Sequence, residues 1–533
     1  MNLKIKGKYP LILAILVYLV AVLVIYFYTV KRNDGVFTYA LDDPYIHLRI
    51  ATNLINFGNF GINIDEFSAC SSSPLWTFLI AGSIKLFGNS EINSFVLAIV
   101  SGLFSIFFAY VFIKKYLSIT WQRNFVLLIS IFSAPLPLLC FVGLEHILHC
   151  GLIVLYIYFA SDYLCDKNRN SSFYYLLFLT PIITAIRYES AFIVAVVTVL
   201  FFFRRLPIKA IFLAGIGILP LLIMGLISTN NGWFFFPTSI LLKGNYPKDN
   251  IIFDTLRLLF FTPIRQLMES PQLSILFTFS LIMVIKNVWR KEGFWESLNV
   301  GNLIFIAITY LHCQFSAVGF FYRYEAYLVF SGAILSLINF FRLFNTYIDK
   351  YFIGSNIFKK IILIIAFFFV ISPLTIRAIK SYYNIPTACK NIYGQQYQCA
   401  MFLKEFYSKA TVVINDIGAM SYYADVKIID LWGLATKEIA RAKLKRSYDS
   451  TIMQQIFEDR KPNIAIIYES WFEGACSLPR EWKRVGAWKI SDNIVCGDDE
   501  VSFWAKDSSE IEKLKRNLEQ YSKNHLIYFK KFF

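Results

Sequence analysis

The chain has 533 residues, 57% of them hydrophobic and 18% aromatic, with a formal net charge of +16. A water-soluble enzyme of this length has no way to bury so much apolar surface, so the composition identifies a polytopic membrane protein. The charge falls mostly in short loops between apolar runs, which argues against nucleic acid as a partner, and the nine cysteines show neither CxxC nor Cys/His ligand spacing.

The run 11–30 is long enough to cross a bilayer. It follows Lys4, Lys6 and Lys8 and leads into no small-residue cleavage site, which predicts a retained helix rather than a signal peptide. About a dozen residues further on, Asp42 and Asp43 open the stretch DDPYIHLRIATN. Pro44 suits the first turn of a helix on which Asp42, Arg49 and Asn53 share a face. A cap requires only one aspartate, and two carboxylates close to lipid are costly, so the doublet points to a function.

The loop that follows, NFGNFGINIDEFSACSSSPLWTFL, is rich in Gly and Ser and enters the apolar segment Pro74–Phe87. At roughly 21 Å as a helix that segment is too short to cross, so it is expected to be re-entrant or to lie on the surface on the same side as Asp42. Further spans are predicted near 92–113, 124–142, 146–161, 172–186, 188–203, 207–228, 271–287, 298–313, 324–341 and 361–376, giving about eleven crossings of the length a bilayer needs.

With the N-terminus inside, the clusters Lys114/Lys115/Arg123, Lys167/Arg169, Arg204/Arg205/Lys209, Lys286/Arg290/Lys291 and Arg342/Lys350/Lys359/Lys360 all fall on the inner face, with Lys31 and Arg32 as exceptions. Carboxylates then collect at outer helix ends: Asp42, Asp43, Glu145, Glu189 and Glu325. Beyond Pro373 the composition changes. The short β-rich runs TVVIND, VKIIDLWG, NIAIIYES, RVGAWKI and VSFWAKD, and the helical SSEIEKLKRNLEQYSK, predict a soluble α/β domain with a mixed sheet. The expected division is a transmembrane domain over 1–376, with an outer loop over 31–91, and an extracytoplasmic domain over 377–533. In that location Cys476 with Cys496, or Cys389 with Cys399, could form disulfides.

The order Asp-Asp, Tyr, Arg, Asn, Gly-rich turn, Ser-rich loop and SPLW resembles the first outer loop of GT-C class glycosyltransferases. It is most similar to the group that includes mycobacterial terminal arabinofuranosyltransferases. FVGLEHILHC resembles that group's Gly-hydrophobic-Glu element, giving Glu145. FFFPTSILLKGN resembles its Pro-Asn-Thr/Ser element followed by lysine, giving Lys243. IRYES stands where the group often has Arg-Pro-Glu-Gly, but without the proline and the final glycine. NIYGQQYQCAMFL and NDIGAMSYYADVKIIDLWGLA resemble its extracytoplasmic domain.

The resemblance implies inverting transfer of a sugar from a polyprenyl-phosphate donor to a glycan, lipid or protein acceptor. It places the protein in the inner (cytoplasmic) membrane, multi-pass, with the C-terminal domain periplasmic or extracellular. Phosphate leaves unaided, so the chemistry calls for a carboxylate to take the hydroxyl proton and for cations to hold the phosphate. Asp42 is the expected base, with Asp43 as its partner or the second candidate. Arg49, Arg187, Lys243 and Arg323 are the candidate phosphate ligands, arginine being suited by its planar fork. A divalent cation, magnesium or manganese, bridging Asp42, Asp43 and Glu145 to the phosphate is compatible with this set and not required by it.

His47, Glu189, Tyr322 and Glu325 complete the candidates. Arg187 and Glu189 lie close enough to pair with each other. His146, His149 and His312 read as helix-interior residues, and Asp416 and Trp432 as ordinary strand-end residues. A flippase of lipid-linked glycans would call for charges within spans and pseudo-symmetric halves. An O-antigen ligase or polymerase would rely on a long outer loop late in the chain. Neither accounts for an early acidic doublet.

Overall fold

Helix Tyr9–Arg32 shows the pattern that builds the bundle. Ala14, Tyr18, Val22, Ile25 and Thr29 recur every three or four residues and are buried, while Leu16, Val20 and Phe27 remain more than half exposed. Being apolar on both faces, such a helix has one side for protein and the other for lipid. Tyr18 lies in the helix interface, its hydroxyl 3.1 Å from Cys140 Sγ. It fits there because Gly102 has no side chain: a Cβ at that position would come within 2.0 Å of the Tyr18 hydroxyl.

The computed structural model describes residues 8–245, 251–290, 293–351, 357–472, 478–525 and 529–531. Among them, eight helices are long and apolar enough to cross a membrane: Tyr9–Arg32, Ile92–Tyr116, Thr120–Val142, His146–Cys165, Pro207–Asn230, Pro271–Trp289, Ser297–Phe315 and Ala326–Asn345. Two further segments expected to span are helices of lesser length, Asn170–Ile186 and Tyr188–Phe203. The expected span at 361–376 lies within Ile357–Ile392, a 36-residue helix that runs without a break through residue 377, where the composition changes. Pro74–Phe87 is a helix of 14 residues, short as expected, and packs against Asp43–Phe57.

The two ends of the bundle differ in chemistry. Where Ile92–Tyr116 and His146–Cys165 finish, basic residues are tied to neighbouring elements: Lys115 to Asp162 and Ser297 (both 3.0 Å), and Lys167 to the Arg204 carbonyl. Where the same two helices begin, Ser94 donates to the Gly143 carbonyl, and Glu145 immediately precedes the second helix. The acidic doublet and its cations lie at this second end.

All five β-rich runs form strands: β1 Thr411–Ile414, β2 Lys427–Asp430, β3 Ile464–Ile467, β4 Lys483–Lys489 and β5 Glu500–Ala505. A sixth strand that the sequence did not suggest, β6 Phe529–Lys531, adds to the edge. The sheet order is β2-β1-β3-β5-β4-β6, with the first three parallel and the rest antiparallel, so the sheet is mixed. Alternation along each strand sorts the two faces. Val412, Ile464, Ile466 and Phe503 pack under Phe402, Leu518 and Tyr521, while Val413, Ile429 and Ala465 face Ile439, Met453 and Phe457. The first of these cores also contains Ile46 and Ile50 of helix Asp43–Phe57 and Phe60 and Ile62 beyond it, so the sheet domain is built onto this helix and the loop that follows. Cys389 and Cys399 are separate buried thiols, and Cys476 lies outside the described residues.

Candidate active site at the acidic doublet

Consecutive residues on a helix point about 100° apart, so neighbouring aspartates face different surroundings. Asp42, the residue just before helix Asp43–Phe57, turns toward the sheet domain. Its two oxygens accept hydrogen bonds from the backbone N–H groups of Gly418 (2.5 Å) and Ala419 (2.7 Å). Gly418 permits this approach, since a Cβ there would lie 2.0 Å from the Asp42 carbonyl oxygen. Asp416 faces the same carboxylate and accepts a hydrogen bond from Gln396 at 2.6 Å. Burial raises the pKa of both acids, and the Asp42 charge raises that of Asp416 further. Because the two amides favour the ionised form of Asp42, the shared proton resides on Asp416.

Asp43 turns the other way and lines a cavity of about 520 Å³. Its Oδ2 lies 2.6 Å from Arg323 Nη1, and its side chain is 31% exposed. Burial alone would raise its pKa, but the charges of Arg323 and Lys243, the Arg323 hydrogen bond and His47 outweigh it and bring the value down to about 2. Ile46 and His47, three and four residues further along, line the same cavity.

Arg323 is presented by an unusual turn. Phe320, Phe321 and Tyr322 take φ values of 30°, 61° and 67°, a left-handed run that non-glycine residues rarely sustain. Two bonds hold it: Arg377 donates to the Tyr322 carbonyl at 2.8 Å, and Glu325 accepts from Gly319 N–H at 2.7 Å. Arg377 and Glu325 are themselves an ion pair at 2.5 Å. The Arg323 guanidinium lies over the Phe320 and Tyr324 rings, 4.8 and 5.0 Å from their centres.

Lys243 is placed by the short helix Thr238–Lys243, whose Thr238 is tied to the Ala69 and Leu434 carbonyls at 3.0 and 2.8 Å. Lys243 lines the cavity and has no carboxylate within ion-pair distance among the described residues. Arg187 also lines it, but is held between Glu145 at 2.6 Å and Glu189. The cavity's apolar wall comes from Leu144, Phe192, Leu221, Phe236 and Phe315. Leu221 and Phe315 belong to membrane-length helices.

The structure thus corrects several expectations. The face shared by Asp42, Arg49 and Asn53 exists, but it binds protein. Arg49 Nε donates to the Ile62 carbonyl at 3.1 Å, and Asn53 donates to Gly61 and Ile62, so Arg49 shapes the outer loop and does not reach the cavity. Tyr322 and Glu325 lie behind Arg323 and build its turn, with Tyr322 OH accepting from Asn384. Asp42, Asp43 and Glu145 each face a different partner. No three His, Cys, Asp or Glu side chains among the described residues are grouped to hold a metal ion.

His149 and His312 are interior, bonded to Ser190 and to the Ala317 carbonyl, whereas His146 lines the cavity. Trp432 packs beneath Lys443 and beside Trp471. Asp416 was read as an ordinary strand-end residue and Arg377 went unrecognised, because their partners lie 374 and 52 positions away, too far for any local pattern to show.

In fold the chain is similar to ArnT from Cupriavidus metallidurans bound to undecaprenyl phosphate, with a TM-score of 0.53 at 12% identity, covering 93% of this chain and 98% of that one. The apo form of the same protein gives 0.51 with the same identity and coverage. The oligosaccharyltransferase of Archaeoglobus fulgidus, in complex with zinc and sulfate, gives 0.42 at 12% identity, covering 91% of this chain and 73% of that one. The fold is that of GT-C glycosyltransferases. Residues 390–504 match a family described as a domain of unknown function, DUF8728. No curated protein matches the sequence.

Proposed function

We propose that the protein transfers a sugar, with inversion, from a polyprenyl-phosphate donor to a hydroxyl of a cell-envelope glycan, lipid or protein. The observation that carries this is the composition of one cavity: Asp43, Arg323 and Lys243 line it beside an apolar wall to which two membrane-length helices contribute Leu221 and Phe315. A lipid phosphate needs both. Arg323 supplies a planar fork and Lys243 a point charge for the phosphate, while Phe192, Leu221 and Phe315 suit the first isoprene units. ArnT, which shares the fold, binds a lipid of this class.

In this reading the acceptor oxygen bonds to the anomeric carbon from the face opposite the phosphate. The carbon–oxygen bond to phosphate breaks, with its electron pair going to the phosphate. Asp43 accepts the hydrogen bond of the attacking hydroxyl and orients it. Arg187 is already neutralised by two carboxylates, so it stiffens the cavity floor, and the phosphate falls to Arg323 and Lys243.

The test is binding of undecaprenyl phosphate to the purified protein, measured by native mass spectrometry. Wild type is expected to bind it, and Lys243→Ala to weaken binding by about tenfold or more, the loss of one charge-assisted contact. Equal binding by both would remove Lys243 from the site. The reading also places the sheet domain outside the cytoplasm. A periplasmically active reporter fused after Phe533 is then expected to be active, and an inactive fusion would reverse the orientation.

A further inference from the structure

Asp43 is well placed to hold a hydroxyl but poorly suited to take its proton, because Arg323 and Lys243 keep its carboxylate far less basic than an efficient base at neutral pH. One helical turn further on, His47 faces the same cavity. Its Nδ1 lies 2.8 Å from Thr77 Oγ1, and the Thr77 hydroxyl can donate in turn to the Ser73 carbonyl at 3.2 Å. Ser71 Oγ also lies 3.3 Å from Thr77 Oγ1, and with the Thr77 hydrogen given to Ser73 or Ser71 the hydroxyl has only a lone pair to offer the ring. Nδ1 then carries the imidazole proton, and Nε2 keeps its lone pair.

Nε2 makes no hydrogen bond to the protein among the described residues. The groups acting on the ring are Asp43 from its own helix, Glu145, Arg187 and Arg323 from the elements around it, and Thr77. Burial keeps the resting imidazole neutral. The Asp43 and Glu145 charges favour the cation that proton uptake would create, and the two arginines oppose it.

We propose that His47 Nε2 is the general base of the transfer, with Asp43 orienting the acceptor hydroxyl toward it and Thr77 fixing the ring's tautomer. This rests on the glycosyl-transfer reading of the cavity. As the acceptor oxygen bonds to the anomeric carbon and the phosphate departs with the electron pair of the breaking bond, the hydroxyl proton moves to Nε2. The resulting imidazolium returns that proton to water after the products leave. The net products are the new glycoside, polyprenyl phosphate and one proton.

The test uses the full-length protein and His47→Asn, whose amide can still donate to Thr77 but places nothing at the Nε2 position. Three quantities are measured: undecaprenyl phosphate binding, the envelope glycan product in cells by mass spectrometry, and acylation by diethyl pyrocarbonate, which attacks unprotonated imidazole nitrogen. His47→Asn is expected to bind undecaprenyl phosphate as wild type does, while product falls about 100-fold or more. In wild type, peptide mapping is expected to find His47 acylated at a rate that is already level across neutral pH, because burial keeps the ring unprotonated there, and more slowly with undecaprenyl phosphate present.

Near-normal product from His47→Asn overturns the proposal, as does an unreactive His47 in wild type. Loss of lipid binding together with product also overturns it, since His47 would then be a binding residue. A wild-type protein that neither binds undecaprenyl phosphate nor alters envelope glycans overturns the glycosyl-transfer reading, and this proposal with it.

Discussion

On the glycosyl-transfer reading, Asp43→Asn is expected to lower transfer by roughly 10²-fold or more, the scale for losing a group that orients the attacking hydroxyl. Asparagine keeps the size of the side chain, and its carbonyl can still accept from Arg323, so the buried guanidinium retains a partner and the protein folds. What disappears is the negative charge that holds the attacking hydroxyl and offsets a cation beside it. The same change removes an anionic competitor for Arg323 and Lys243, so undecaprenyl phosphate binds at least as tightly as to wild type. Transfer lost with binding kept separates a role in the reaction from a role in holding lipid. Envelope glycan mass spectrometry and native mass spectrometry of the purified variant read the two quantities, and near-normal transfer would exclude Asp43 from the site.

Asp416→Asn makes the joint between the two domains insensitive to alkali. Asp416 has a folded pKa raised above its unfolded value, so the folded protein binds more protons than the unfolded chain between those two values. The stability it contributes is complete below its unfolded pKa, near 3.8, and is lost as pH rises toward the folded value. Above that, two carboxylates confront each other in a site with little water. Asparagine at this position donates to Asp42 at every pH while still accepting from Gln396.

Thermal unfolding of the purified proteins is expected to show wild type weakening as pH rises above the unfolded carboxyl value near 3.8. Asp416→Asn should hold steady, ahead at the upper end by about 1–3 kcal/mol, the range for keeping rather than breaking a buried hydrogen bond to a charge. Parallel curves for the two proteins would show that the carboxyl pair does not share a proton.

The sequence made the broad plan legible because the plan rests on local pattern. Span length, the short Pro74–Phe87 helix and five of the six strands follow from runs of residue types that need no distant partner. Residues 170–203 were harder to read, since two helices of 17 residues or fewer joined by an arginine turn have the hydropathy of two ordinary spans. The doublet shows where such reading stops. Helical spacing correctly grouped Asp42, Arg49 and Asn53, but spacing cannot say what a face meets. That face meets Gly418, Ala419 and the 58–69 loop, so the cavity fell to Asp43, Ile46 and His47. Arg323 was visible as a cation at a helix start, whereas its support by Arg377 and Glu325 arises only when residues 52 positions apart come together.

One peptide unit separates the carboxylate gripped by Gly418 and Ala419 from the carboxylate paired with Arg323. The sheet domain therefore holds one member of the doublet directly. On the glycosyl-transfer reading, a twist of the sheet is expected to reach the second carboxylate within a single residue, and cutting the chain after the bundle to leave the first without its two amide partners. Residues 390–504, matched to a family of unknown role, thus supply the backbone groups that fix the first aspartate of the pair.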